Sequence, residues 1–233
     1  MGLFHHGVPS WLVRWLQNAT DIHHSVETGT YRGDSALLLA DALGACTSIE
    51  VQPELAQQAT ERFADRGDVT ILTGDSRALL PQLCATLPQP AFFWLDGHWS
   101  GGDTGGAEAP CPLLDEIDAV VGSGRIGDVI AIDDARLFGI GHDLDPGMRH
   151  YPRLVTVLNR LEAAGAVTFV LDDIIVAVPP QLQASFAELW SDEGVRQRVF
   201  LFQIWDSIER LWQPPAPAPA APTAQRRWSR RRA

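Results

Sequence analysis

The sequence predicts an α/β fold: a doubly wound, mostly parallel seven-stranded sheet that ends in an antiparallel hairpin. Three observations carry this. Five short runs between residues 25 and 132 are nearly continuous in apolar residues, as strands buried on both faces are. Amphipathic stretches of helical period separate them. Two further apolar runs within 167–178 flank Asp172-Asp173 with no room for a helix between them, so they pair as a hairpin.

Taken in order, residues 1–24 form an N-terminal helical cap whose apolar side (Trp11, Leu12, Trp15, Leu16) covers either the sheet or the site. Strands are expected at 25–28, 47–51, 69–73, 91–95 and 129–132, and helices at 35–43, 53–66, 76–83 and 112–121. A helix over 151–164 precedes the hairpin. Helices at 181–192 and 195–212 follow it, the second with a face of Val199, Phe202, Trp205, Ile208 and Leu211. That face suits packing on the domain or against a second copy of the chain, a homodimer contact. From Gln213 the composition turns to PPAPAPAAPTAQ, which favours extended polyproline geometry, and then to RRWSRRRA, a solvated cationic tail. The expected layout is therefore a cap at 1–24, a main domain at 25–212 and a tail at 213–233.

Charge and cysteines narrow the function. The last 21 residues hold five arginines and no acid, leaving 13 arginines against 29 acids upstream, a balance of −16. So acidic a body repels phosphate backbones, which argues against a nucleic-acid substrate. Every cation is an arginine, so lysine chemistry is excluded. No run approaches the roughly 20 apolar residues of a membrane span. Three cysteines without CxxC spacing fit neither a zinc site nor a disulfide framework, and no secretory leader is apparent. The expectation is a cytoplasmic enzyme acting on a small molecule.

The first expected strand runs into Glu27-Thr28-Gly29-Thr30-Tyr31-Arg32-Gly33-Asp34-Ser35 and then a helix. Gly29 permits a tight turn where a side chain would block a ligand, and Gly33 lets the following helix approach closely. Glu27 is an acid on the strand just before the glycines, where a purely structural strand would prefer an apolar residue. Glu50, 21 residues beyond Gly29, ends the second strand, where an acid can accept two ribose hydroxyls. Gly74-Asp75-Ser76 ends the third, where it can meet an adenine. A dinucleotide site would want GxGxxG and a diphosphate, which Glu27 would repel. The acid suits a cofactor with an ammonium end.

These residues resemble the class I (Rossmann-like) S-adenosylmethionine-dependent methyltransferases over about residues 25–179. The resemblance implies that Glu27, Gly29, Thr30 and Gly33 hold the methionine part, Glu50 the ribose, and Asp75 with Ser76 the adenine. Tyr31 departs from the pattern, which has a glycine there.

Two acidic groups fall at the ends of the fourth and fifth strands: Asp96-Gly97-His98-Trp99 and Asp133-Asp134. Three carboxylates at adjacent strand ends repel one another unless a cation neutralises them. Hard oxygen donors suit Mg²⁺. The alternative is that Asp134 caps a helix or pairs with Arg136 and that Asp96 is a lone base. The same positions are similar to those of metal-dependent O-methyltransferases of the catechol and macrocin types, which implies Asp96, Asp133 and Asp134 as metal ligands. His98 is the candidate general base. Gly101–Gly106 is expected to be a lid, Trp99 a pocket wall, and His142 and His150 substrate contacts. Two other readings stay open: a nucleoside-binding module without methyl transfer, and a metal-dependent hydrolase built on Asp96, Asp133 and Asp134.

Overall fold

A computed structural model describes residues 7–98, 111–139 and 150–192. Helix α1 (Ser10–Ala19) is followed by β1 (Ser25–Thr28), α2 (Asp34–Leu43), β2 (Cys46–Glu50), α3 (Pro53–Arg62), β3 (Val69–Thr73) and α4 (Ser76–Cys84). Then come β4 (Phe92–Leu95), α5 (Leu113–Gly122), β5 (Val129–Ile132), α6 (Ala135–Gly139), α7 (Leu154–Ala163), β6 (Val167–Leu171) and β7 (Ile174–Val178). A 3₁₀ turn at Pro180–Leu182 leads into helical residues 183–192.

The seven strands form one sheet in the order β3-β2-β1-β4-β5-β7-β6. β1 to β5 are parallel, and β7 runs antiparallel to both β5 and β6. The doubly wound sheet expected from the sequence is the one observed. From β1 the chain winds outward through β2 and β3, then returns to place β4 on the other flank of β1. That reversal makes the carboxyl ends of β1 and β4 a topological switch point, where ligands bind in open α/β sheets.

Alternating side chains divide the core into two layers. On β4, Phe92 and Trp94 pack with α1, α2 and Phe186, whereas Phe93 and Leu95 pack with α4, α5 and α7. Helix α1 covers the first of these layers, burying Trp11, Leu12, Trp15 and Leu16. Trp15 Nε1 donates to Ser185 Oγ at 3.0 Å, tying it to the helical residues after β7. The cap thus lies on the sheet, while Gly7 just ahead of it borders the cavity described below.

Element bounds shift where local chemistry intervenes. Helix α7 begins at Leu154 rather than 151 because Pro152 disfavours helical geometry at Tyr151. Helix α3 stops at Arg62, and Arg66 reaches instead to Asp41 and Asp68. Asp172 and Asp173 both adopt positive φ, the conformation a two-residue hairpin turn requires. The expected helix at 195–212, the tail, Trp99, Gly101–Gly106 and His142 lie outside the described residues. Among the described residues no helix is long and apolar enough to cross a membrane.

Candidate active site

A cavity of about 830 Å³ opens at the switch point. Glu27, Gly29, Glu50 and Ser76 border it on one side, and Asp96, His98, Asp133 and Asp134 on the other.

Glu27 is buried near the end of β1, level with Ser48 on β2. Ser48 Oγ donates to Glu27 Oε2, and Thr30 Oγ1 shares a hydrogen bond with Ser48 Oγ at 2.6 Å. Burial pushes the Glu27 carboxyl up to about 8; the Ser48 bond holds it back and the nearby Glu50 and Asp34 charges add to the rise. A buried acid with so raised a pKa is poised for a cation.

Glu50 is buried at the end of β2. Its Oε2 accepts from the Tyr31 amide and its Oε1 from the Gln52 amide, both at 2.9 Å. The first bond explains how Tyr31 stands where a glycine was expected: it adopts φ 47°, and Glu50 pins its backbone there. Each carboxylate oxygen keeps a free lone pair for a hydroxyl.

Gly29 has φ 86°, and a Cβ on it would lie 2.4 Å from the Asp96 carbonyl oxygen. Its obstacle is therefore the β4 backbone as much as a ligand. Gly33 has φ 80°, and its Cβ would strike the Phe63 ring at 2.7 Å, so the close approach is to the end of α3. Asp75 does not border the cavity: it caps α4 by accepting from the Arg77 amide at 2.9 Å and pairs with the Arg77 guanidinium. Ser76, the next residue, does border it.

On the other wall, Asp96, His98 and Asp134 bring ligand atoms within 4.8 Å of one another. Asp133 is not in that trio; its Oδ1 accepts the Asp134 amide at 2.8 Å. His98 is buried edge-on against Phe138 and Tyr151, with centroids 5.7 and 5.9 Å away. Its Nε2 lies 3.1 Å from Asp134 Oδ2. Arg136 pairs with Asp134 Oδ1 at 2.5 Å and also with Asp173, whose carboxylate accepts the Arg136 amide. The pairing of Asp134 with Arg136 raised from sequence is thus present beside the trio. His150 is exposed.

The titration pattern follows these contacts. Burial, then Asp133 and Asp134, push Asp96 well above the usual carboxylate range. Burial and Asp134 raise Asp133 to about 7. Burial also penalises the Asp134 charge, yet the His98 hydrogen bond and the His98 and Arg136 charges outweigh it, so Asp134 falls below its ordinary value. The wall crowds more carboxyl groups than its protein partners can neutralise as carboxylates, so Asp96 and Asp133 hold their protons well above the ordinary range. Two carboxylates and an imidazole fit a divalent cation, and the nitrogen donor extends the fit from Mg²⁺ towards Mn²⁺.

Three residues of the site were not singled out from sequence: Ser48, Arg136 as a double clamp, and Glu116. Glu116 had a signal. It is the fourth residue of α5 and falls on the stripe Leu113, Glu116, Ile117, Val120, where an apolar residue belongs, and it is buried.

The strand order, with an antiparallel seventh strand inserted before the sixth, is the fold of the class I S-adenosylmethionine-dependent methyltransferases. No family model and no curated protein sequence matches the chain. In structure it is similar to an O-methyltransferase from Bacillus cereus in complex with S-adenosylhomocysteine, at 21% identity and a TM-score of 0.52, covering 76% of this chain and 84% of that one. It is likewise similar to an S-adenosylhomocysteine-bound methyltransferase from Podospora anserina, at 14% identity and a TM-score of 0.51, covering 73% and 76%.

Proposed function

We propose that this protein is an S-adenosylmethionine-dependent methyltransferase that methylates an oxygen of a small hydroxylated molecule. The observation that carries the reading is that Glu27 and Glu50 border one cavity at the switch point, opposite the Asp96–His98–Asp134 wall. Glu27 receives the cofactor's ammonium, and the free lone pairs of Glu50 receive the ribose hydroxyls. Bound there, S-adenosylmethionine supplies an activated methyl group, which leaves the protein to align the acceptor and assist loss of its proton.

Asp96, His98 and Asp134 would hold a divalent cation, Mg²⁺ or Mn²⁺, whose chemistry is to neutralise the wall and lower the pKa of an acceptor hydroxyl. In this reading His98 is a ligand, oriented by Phe138 and Tyr151, rather than a free base. The acidic surface and the cavity's dimensions favour a small uncharged or cationic acceptor over a nucleic acid.

Calorimetric titration of the full chain with S-adenosylhomocysteine tests the cofactor assignment. Micromolar binding that weakens at least tenfold in Glu50→Ala is expected; no binding by the unmodified chain ends the reading. Methyl transfer to a panel of catechols and sugars, before and after chelation and with Mg²⁺ or Mn²⁺ restored, tests the cation. Full activity after chelation would make the trio structural.

A further inference from the structure

The loop between β1 and α2 carries three left-handed residues within five: Gly29 (φ 86°), Tyr31 (φ 47°) and Gly33 (φ 80°). Two are glycines, which adopt this conformation freely. The aromatic Tyr31 does so only when its surroundings hold it there. Gly29, Thr30, Tyr31 and Arg32 all border the cavity, so the shape of this turn is the shape of the cofactor side.

Glu50 supplies one hold, through the Tyr31 amide. That hold is shared, because the same carboxylate is the one the ribose hydroxyls would reach. A second hold comes from outside the cavity lining. Helix α3 begins at Pro53, just past Glu50, and ends at Arg62 beside the loop. Arg62 Nη1 donates to the Arg32 carbonyl oxygen and to Asp34 Oδ1, the latter at 2.7 Å. One nitrogen thus commits both its protons to the loop, to the residue before Gly33 and the residue after it. Phe63, the next residue, closes on Gly33 itself, with its ring 2.7 Å from where a Cβ would stand. The Arg62 and Asp34 side chains are 37% and 78% exposed, so their ion pair contributes little to stability. The bond to the Arg32 carbonyl has a different consequence. It fixes the peptide plane between Arg32 and Gly33, while Glu50 fixes the Tyr31 amide, so the strained residue is bracketed from both directions along the chain.

We infer that Arg62 is a positioning residue: from the end of α3 it grips the Arg32 carbonyl and keeps the Tyr31–Gly33 turn in the left-handed conformation on which the cofactor side of the cavity is built. This rests on the cofactor reading above and deepens it. Arg62 is not among the residues that border the cavity; it acts through the backbone of the loop. Its hold stays in place when ligand hydroxyls compete with the Tyr31 amide for Glu50. The need for it follows from Tyr31, since a glycine at that position would take the same conformation unaided.

Arg62→Met keeps the aliphatic stem and removes the donor, whereas Arg62→Gln keeps a polar tip that stops two bonds short. Either should weaken S-adenosylhomocysteine binding at least fivefold, read by calorimetry on the full chain. The ligand-free melting temperature should move by no more than about 4 °C, as for an exposed ion pair. A residue that only supported the fold would lower both together. Tyr31→Gly supplies the conformational check: in that background Arg62→Met should change affinity less than twofold. Three results each overturn the positioning role alone: parental affinity in both Arg62 variants, a loss of affinity accompanied by a larger fall in melting temperature, or an undiminished loss in the Tyr31→Gly background. A parent chain that binds no S-adenosylhomocysteine overturns the cofactor reading, and this role with it.

Discussion

Ser48 Oγ donates to Glu27 Oε2 at 2.5 Å between adjacent positions on β2 and β1, giving the buried acid beneath the cavity a neutral partner and no cation. A hydroxyl stabilises the carboxylate less than a positive charge would, so burial prevails and Glu27 is held at about 8. In the free protein at pH 7 it is mostly protonated.

Cofactor binding should therefore release a proton. If the ammonium of S-adenosylhomocysteine pairs with ionised Glu27, affinity must climb as pH rises towards 8, by at most about tenfold per unit, and level off above it. Calorimetry at pH 7 in buffers of differing ionisation enthalpy should give close to one proton released per ligand. A dissociation constant that stays flat from pH 6 to 8 would remove Glu27 from the amino-acid end.

The same group governs stability in the opposite sense. Its folded pKa of about 8 stands above its ordinary value of 4.5, so between these pH values the native state binds more protons than the unfolded one. Stability is then present at low pH and declines as pH rises through that window. Glu27→Gln, which cannot ionise, should melt close to the parent at pH 5 and well above it at pH 9. The expected gain is on the order of a few kcal/mol. Thermal melts at the two pH values, without ligand, check this.

How far the sequence revealed these features depends on whether their physics is local. Strands β1, β3 and β5 were legible to the residue: Val129–Ile132 is apolar throughout, and β1 and β3, which mix in polar residues, are each ended by a glycine. Glu27 and Glu50 stood out as acids at strand ends. Asp75 shows what the sequence leaves out: an acid at a strand end and an acid capping the next helix read alike, and the contact with the Arg77 guanidinium has no signal of its own. The double grip of Arg136 on Asp134 and Asp173 joins positions 37 apart through the hairpin turn, and no spacing rule announces it. Glu116 was legible in principle, since a charge on an apolar stripe is a local anomaly.

Arg136 competes for the carboxylate that a divalent ion would need. Removing it should favour the ion: Arg136→Gln is expected to bind Mn²⁺ several-fold more tightly than the parent, measured by calorimetry or by loss of the free-ion paramagnetic signal. Asp134→Asn should reduce Mn²⁺ binding at least tenfold. Asparagine is the right replacement because residue 134 has φ 56°, which Asn tolerates and Ala does not. Equal Mn²⁺ affinity in all three proteins would mean that the Asp134–Arg136 pair is purely structural.

Gly29 and Gly33 share nearly the same φ but meet different obstacles, and that difference is measurable. Alanine at either position incurs the strain of a left-handed φ, about 1–2 kcal/mol. At Gly29 the added methyl also meets the Asp96 carbonyl at 2.4 Å, so β1 and β4 must part to admit it. The total should reach about 3–5 kcal/mol, a fall of roughly 6–20 °C in melting temperature for a domain of this size. At Gly33 the obstacle is the Phe63 ring at 2.7 Å, a side chain that can be trimmed. Adding Phe63→Leu to Gly33→Ala should recover part of the lost stability, leaving mainly the φ strain and the smaller core. No side-chain truncation can relieve Gly29→Ala, because what it strikes is backbone at the cavity floor. Its S-adenosylhomocysteine affinity should drop with its stability, whereas the Gly33→Ala/Phe63→Leu pair should keep most of its affinity. Full recovery of Gly29→Ala by any neighbouring truncation would show that β4 does not press against β1 at that point.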